Sequence, residues 1–377
     1  METELLILGG GCAGLSLARR LAAHGEAAPR TTVIESRCDY ADDRTWCFWL
    51  HPSAQLTHLV RRRWSSVSVA SPNGRALVAS ADFPYAMLPA GEFYQESIAM
   101  LGRSERLRLE LGVSVLSAPR RVGEYWEVET SGGAYRAKWV VDTRPLAVPA
   151  RGGAVLWQSF LGQEVECAAP VFDSEIAEIM HFTSRCDGRI LFYYLLPISP
   201  TRALLEVTVF APEPTGPEAF RSELTGFIDR CLRGHQYWIR RTEHGMLPMG
   251  MLDHPSAADG SYVRAGLMAG GARASSGYAF QRIQRWAEEC AHGLVAGRGP
   301  TPHRADPWAL RKMDALFLQV LSRRPELAAD LFLALFQKVA HPRLVRFMSD
   351  RATLADYAAI IFALPARPFL KELFCPA

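Results

Sequence analysis

The segment Gly9-Gly-Gly-Cys-Ala-Gly14 limits what this chain can fold into more than any other stretch. An apolar run, Glu4–Leu8, leads into it, and Leu15–His24 leaves it with apolar residues at helical spacing. Gly25 stops that helix, and Thr31–Glu35 is a second β-branched run. The unit predicts strand, glycine turn, helix, strand, the size of a βαβ crossover. Gly9, Gly11 and Gly14 then serve a tight turn, a close approach of backbone to a pyrophosphate, and close packing of helix on sheet. The helix N-terminus offers free N–H groups to phosphates. Glu35 lies 21 residues after Gly14, where a carboxylate accepts hydrogen bonds from a ribose hydroxyl. A chance glycine turn in an ordinary α/β protein is the competing reading, and the strand, helix and acid context argues against it. The motif alone does not separate FAD from NAD.

Composition narrows the class. With 377 residues, 49% hydrophobic and 21% charged, the chain is globular and long enough for two or three domains. A net charge of +3 is too small for nucleic acid as the main partner, although an anionic ligand or surface is compatible with it. The eight cysteines, Cys186 and Cys375 among them, are scattered without C-x-x-C pairs or zinc-like spacing, so neither a metal site nor a disulfide framework is expected. The N-terminus lacks the pattern of a signal peptide, which predicts a cytoplasmic protein with reduced thiols. No apolar run approaches the roughly 18 residues of a membrane span. Lying on a membrane stays open.

Further strands are expected at Ser66–Ala70, Ala76–Ser80, Leu107–Leu111, Ser114–Leu116, Tyr125–Thr130 and Trp139–Asp142, with a hairpin of Ile190–Leu196 and Ala203–Phe210 around Pro197–Arg202. Glu218–Leu232 reads as an amphipathic helix, and helical periodicity dominates from Pro307 onward.

A second glycine cluster, Gly266-Leu-Met-Ala-Gly-Gly-Ala-Arg-Ala-Ser-Ser-Gly277, precedes a helix expected over Tyr278–Ala291. It resembles the late flavin-binding segment of the aromatic hydroxylase and geranylgeranyl reductase superfamily, in the pattern G-D-A-A-G, three residues, P-x-T-G. Gly266, Ala269, Gly270, Ser276 and Gly277 match, whereas Leu267 replaces the usual Asp and Ala274 the usual Pro. Val140-Val-Asp-Thr-Arg144 resembles the strand and turn that return to the flavin domain. A flexible loop is the plainer reading of the cluster by itself; together with the first turn, the resemblance implies FAD, held by Gly9, Gly11, Gly14, Glu35, Gly270, Gly271 and Gly277.

Several stretches narrow the resemblance to the bacterial lycopene cyclases. Asp43-Arg-Thr-Trp46 is similar to their acid–base–Thr–Trp motif, and Leu196–Thr208, which contains Glu206, to the stretch whose plant counterpart reads F-L-E-E-T. Phe83-Pro-Tyr85 with Gly91-Glu-Phe-Tyr-Gln95, Glu243-His-Gly-Met-Leu-Pro-Met249 and Ser276–Gln284 also match in order. Val207 stands where the plant motif has a second acid, so no carboxylate pair is available at adjacent positions. The resemblance implies an α/β fold, a Rossmann-like FAD-binding domain with an inserted β-rich substrate domain and a helical C-terminal tail. The division is 1–65, 91–148 and 243–300 for the discontinuous FAD-binding domain, 66–90 and 149–242 for the substrate-binding domain, and 301–377 for the helical region. It implies proton-initiated closure of lycopene ends to β-ionone rings without net redox, on bound reduced FAD with NAD(P)H as reductant. The rivals are a redox flavoenzyme of the same fold, such as a polyene reductase or monooxygenase, another carotenoid-end cyclase, and a binding module without turnover.

Within that resemblance Glu206 is the acid/base. Its apolar run Ala203–Phe210 adds a physical reason, since desolvation holds a carboxyl protonated. Alternation puts Leu204, Glu206 and Thr208 on one strand face; a polar-face glutamate on a half-exposed strand is the plainer alternative. Asp43 and Arg44 are candidates to hold the flavin or to pair and orient a loop, and Glu243 is a second base or a structural carboxylate. Trp46, Phe48, Trp49, Phe192, Tyr193, Tyr194, Tyr278 and Phe280 are available to line a polyene tunnel or to fill core. In the tail, Arg311, Lys312, Arg323, Arg324, Lys338, Arg343 and Arg346 interleave with Leu316, Phe317, Leu331, Phe332, Phe336 and Phe347. That pattern suits a helix lying on the inner face of the cell membrane, or helices packed over the flavin domain.

Overall fold

The computed structural model describes residues 1–145, 155–183, 188–250 and 259–374. Cys186, Cys375 and the boundary at 148/149 lie outside the described residues. The chain opens with β1 (Glu2–Leu8), α1 (Cys12–Ala23) and β2 (Thr31–Ile34). Leu5 to Leu8 are all fully buried, because both faces of this strand are covered, and that is why it reads as an unbroken apolar run. Next come β3 (Thr45–Trp49), β4 (Arg62–Trp64), β5 (Ser66–Ser71), β6 (Gly74–Ala79) and β7 (Tyr85–Pro89). They are followed by α2 (Ala90–Gly102), β8 (Leu107–Glu110), β9 (Arg120–Val122), β10 (Tyr125–Thr130) and β11 (Gly133–Asp142).

The second half begins with β12 (Leu156–Cys167), β13 (Ile176–Phe182), β14 (Ile190–Ser199), β15 (Arg202–Ala211) and α3 (Arg221–Leu232). It continues with β16 (Tyr237–Met249), β17 (Tyr262–Arg264) and α4 (Phe280–Val295). The C-terminal helices are α5 (Trp308–Arg323), α6 (Ala328–Lys338), α7 (His341–Met348), α8 (Leu354–Ala363) and α9 (Ala366–Phe374).

Three sheets result. The first runs β8-β2-β1-β11-β10-β9, with β17 added beside β11; β8, β2, β1, β11 and β17 pair in parallel. The second runs β16-β12-β15-β14-β13-β5-β6, and the third is β3-β7-β4. The second is thus built between β11 and β17 of the first and borrows β5 and β6 from the N-terminal part. The boundary drawn at residue 243 falls inside β16, whose whole length pairs with β12.

Most expected strands are present, but Ser114–Leu116 reduces to a single bridge, Val115 to Thr130. The strands β12, β13 and β16 carry no clear apolar alternation. In β12, Glu164 is fully buried and pairs with Arg202 of β15 and with Arg241 of β16 at 2.6 Å. Partners from two other strands make that charge tolerable, and local sequence cannot show them.

The outer face of β15 carries Leu205, Val207 and Val209, which pack with Leu224, Phe227 and Ile228 of α3. Its inner face carries Leu204 and Phe210, in one core with Val320, Leu331 and Phe336 of the C-terminal helices. The tail therefore covers the second sheet, with α6 against β5 and β6, and is also tied to α4 through Arg282, which pairs with Asp306 and Asp350. A buried ion pair, Arg273 to Asp314 at 3.1 Å, ties the late glycine loop to α5. Removing one partner leaves an uncompensated buried charge. Asp314→Ala is expected to lower unfolding stability by about 3–5 kcal/mol in denaturant titration, with most of the loss recovered in Arg273→Met/Asp314→Leu.

Candidate active site

One cavity of about 950 Å³ connects the glycine turn, the inner face of the second sheet and the C-terminal helices. At its first end Gly9 has φ +97°, and a Cβ there would sit 2.8 Å from Thr143 Oγ1. A Cβ on Gly14 would fall 1.9 Å from the Gly9 carbonyl oxygen, so these two glycines are required by packing. Gly11 differs: a Cβ would meet no protein atom within 4 Å, and the residue borders the cavity. It caps α1, which has no side-chain cap, so bare backbone and the helix N-terminus face the cavity. That cradle fits a pyrophosphate.

Glu35 closes the turn. Its carboxylate accepts from Gly10 N at 2.7 Å, Arg37 N at 2.9 Å and Arg37 Nε at 3.1 Å. Burial pushes its pKa up, but the bonds from Arg37 and Gly10 outweigh this and hold it below the usual range. The late loop meets the turn directly, for a Cβ on Gly266 (φ +94°) would lie 3.1 Å from Ala13 Cβ. Gly266 and Gly277 border the cavity, whereas Gly270 and Gly271 fold the loop behind it. Arg44 pairs with Asp43 at 2.8 Å at the cavity edge, and Trp46 stacks on Phe280 at 4.9 Å.

Deeper in, the second sheet aligns two carboxyl groups. Gly162 of β12 is paired with Glu206 of β15 on one side and with Glu243 of β16 on the other. The backbones of the two glutamates are therefore two strand spacings apart, about 10 Å. A Cβ on Gly162 would lie 3.2 Å from Glu243 Cγ and 3.4 Å from Glu206 Cβ, so the glycine leaves room for both on one face. Glu206 accepts from Thr208 Oγ1 at 2.7 Å. Burial, then the neighbouring Glu243 charge, push its pKa up to about 8.

Glu243 is 3% exposed and accepts from Thr45 Oγ1 at 2.7 Å and Arg241 Nη1 at 2.5 Å. Burial raises it as well, while Arg241 and Thr45 pull it back. The donors thus favour charge on Glu243 and a proton on Glu206. Cys47 beside them stays a neutral thiol, raised by burial and by both glutamates. Among the described residues no group of three or more His, Cys, Asp or Glu could hold a metal ion.

Of the eight aromatic residues picked from sequence, Trp46, Tyr194, Tyr278 and Phe280 border the cavity. Phe48, Trp49, Phe192 and Tyr193 are core. Leu316, Phe317, Phe332, Phe336 and Phe347 of the tail also border it, and Leu331 is core. Of these, Leu316, Phe317, Phe332 and Phe347 are part-buried, and Phe336 is buried.

Arg241, Thr45, Gly162 and Arg37 were not picked from sequence. An isolated glycine within a strand, such as Gly162, marks close approach and is the one local signal among them.

The family model described as lycopene cyclase protein matches residues 4–373. A lycopene beta-cyclase of Paracoccus sp. (strain N81106 / MBIC 01143) is 28% identical over 413 residues, covering 99% of this chain and 100% of its own. A geranylgeranyl bacteriochlorophyll reductase-like protein from Thermoplasma acidophilum aligns with TM-score 0.61 at 12% identity, over 99% of this chain and 98% of that one. A probable FAD-dependent monooxygenase from Pseudomonas aeruginosa aligns with TM-score 0.56 at 16% identity, over 93% and 100%. At such identities the two structures establish the fold, that of FAD-binding reductases and monooxygenases.

The raised Glu206 carboxyl has a stability consequence. An unfolded glutamate titrates near 4.3, whereas the folded one keeps its proton up to about 8. Between these values the folded state binds more protons, so stability falls as pH rises. Unfolding titrations at pH 5 and pH 8.5 are expected to show this fall in the wild type and a flatter profile in Glu206→Gln. A second expectation concerns the spacer: Gly162→Val should wedge the glutamates apart and cut turnover at least tenfold, with far-UV circular dichroism unchanged.

Proposed function

Because the chain belongs to the lycopene cyclase family, we propose that it closes ends of lycopene, or a related acyclic carotenoid, into β-ionone rings with no net redox change. The observation that carries this reading is the Glu206–Gly162–Glu243 row facing a largely apolar cavity that continues to the glycine turn. Glu206, protonated near neutral pH, delivers its proton to a terminal alkene carbon. The next double bond attacks the tertiary cation, forming the ring C–C bond, and the Glu206 carboxylate recovers a proton from the neighbouring carbon. Atoms and charge return to their starting count.

Arg241 and Thr45 favour the charged form of Glu243 over that of Glu206, so that Glu243, when ionised, keeps Glu206 protonated and supplies negative charge near the cation. The π faces of Tyr194 and Tyr278 add to that field, and the apolar walls exclude water. The residues around Gly11, Glu35, Asp43, Arg44, Gly266 and Gly277 are those that would hold FAD, with Gly14, Gly270 and Gly271 shaping its loops. Reduced flavin, when bound, supplies an electron-rich ring beside the cationic centre, and NAD(P)H would serve to reduce it. In this reading the first sheet is the FAD-binding part and the second the substrate-binding part. An insoluble polyene must come from lipid, so we read the enzyme as peripheral on the cytoplasmic face of the cell membrane.

The fold's redox members give the second reading, a polyene reductase or monooxygenase. Pigment chromatography of lycopene-accumulating cells separates them. Wild type should yield monocyclic or bicyclic carotene and Glu206→Gln should leave lycopene, a loss of at least a hundredfold. Ring formation by the variant, or NAD(P)H consumed one for one with product, would overturn the proposal.

A further inference from the structure

The C-terminal helix pair presents apolar surface outward as well as inward. Leu354 is 86% exposed, Phe362 85% and Phe374 78%. Single exposed leucines need no explanation, but this many large exposed apolar side chains on two successive helices do. Ile361, Leu370 and Leu373 are exposed too, and each also borders the cavity. The cavity wall and the molecular exterior therefore meet along α8 and α9, and Phe362 and Phe374 stand outside that rim.

The charges there are of one sign. Between residues 351 and 374 the acidic side chains are Asp356 and Glu372. Both are buried, Asp356 pairing with Arg346 at 2.7 Å and Glu372 with Arg323. Arg351, Arg367 and Lys371 are exposed. Among the described residues no helix is long and apolar enough to cross a membrane.

We propose that α8 and α9 are the docking surface for an anionic lipid bilayer and form the portal through which a hydrocarbon enters the cavity. Phe362, Phe374 and Leu354 insert at the acyl boundary, while Arg367 and Lys371 meet anionic headgroups. A hydrocarbon dissolved in the bilayer then passes Ile361, Leu370 and Leu373 without crossing water. The hydrocarbon cargo rests on the function proposed above, whereas the docking itself does not.

Sedimentation of the flavin-loaded full chain with phosphatidylglycerol or phosphatidylcholine vesicles, without carotenoid, tests the docking. The wild type should pellet with phosphatidylglycerol vesicles at least tenfold more strongly, and less so in high salt. Phe362→Ser/Phe374→Ser should weaken this binding at least tenfold with flavin content unchanged, and Arg367→Glu/Lys371→Glu should abolish the preference for phosphatidylglycerol. Wild-type protein that fails to pellet, or a double-Phe variant that binds as the wild type does, would overturn the proposal. So would a wild-type dimer in vesicle-free solution that the double-Phe variant loses, since a second copy would then cover this face. Vesicle binding without ring formation would instead count against the function alone.

Discussion

Two carboxyl groups on one face of a sheet, turned toward a cavity with few polar partners, set the terms for the rest of this molecule. Both are destabilised as anions by burial, and the Glu243 charge raises Glu206 further. Arg241 and Thr45 resolve the conflict by bonding to Glu243, while among the described residues Glu206 accepts from the Thr208 hydroxyl alone. The asymmetry of donors, and not any difference between the two side chains, decides which one holds the proton. Gly162 then has a role no larger residue fills as well, because it sits between them on the central strand.

Holding that pair requires two of the three sheets. Glu206 and Glu243 come from the second, while Thr45 comes from β3 of the third, which also carries Trp46 and Cys47 along the cavity. Asp43 and Arg44 precede the same strand and stand at the edge near the glycine turn. The short motif Asp43–Trp46 is therefore a bridge: its first two residues stand at the glycine-turn end of the cavity, and its third donates to a carboxylate 198 positions away.

The C-terminal helices complete the enclosure. Their aromatic residues were equally compatible with lipid contact and with packing over the first sheet, yet they form the inner wall over the second. Apart from Trp308 at the start of α5, the large exposed apolar residues of the tail lie later, on α8 and α9, whose two acids, Asp356 and Glu372, are buried in ion pairs. Hydrophobic periodicity reports that a face is apolar; what that face meets depends on which neighbour arrives.

The half built on the glycine turn was legible because its signals are local. A strand, a glycine turn with a positive φ, a helix and a terminal acid act within some thirty residues, and backbone sterics dictate glycine at Gly9 and Gly14 wherever such a turn packs. Glu206 was legible as an acid set in an apolar strand, because its neighbours on both sides are apolar. The carboxylate pairing was not, since Val207 removes the adjacent acid and the partner arrives from β16 through a strand, β12, whose buried Glu164 hides its pattern. Nor were Arg241 and Thr45 readable as its donors. Local sterics and desolvation are written in neighbouring residues, but register across a sheet is decided only when distant strands align, and that alignment brings the second carboxyl and its donors into reach.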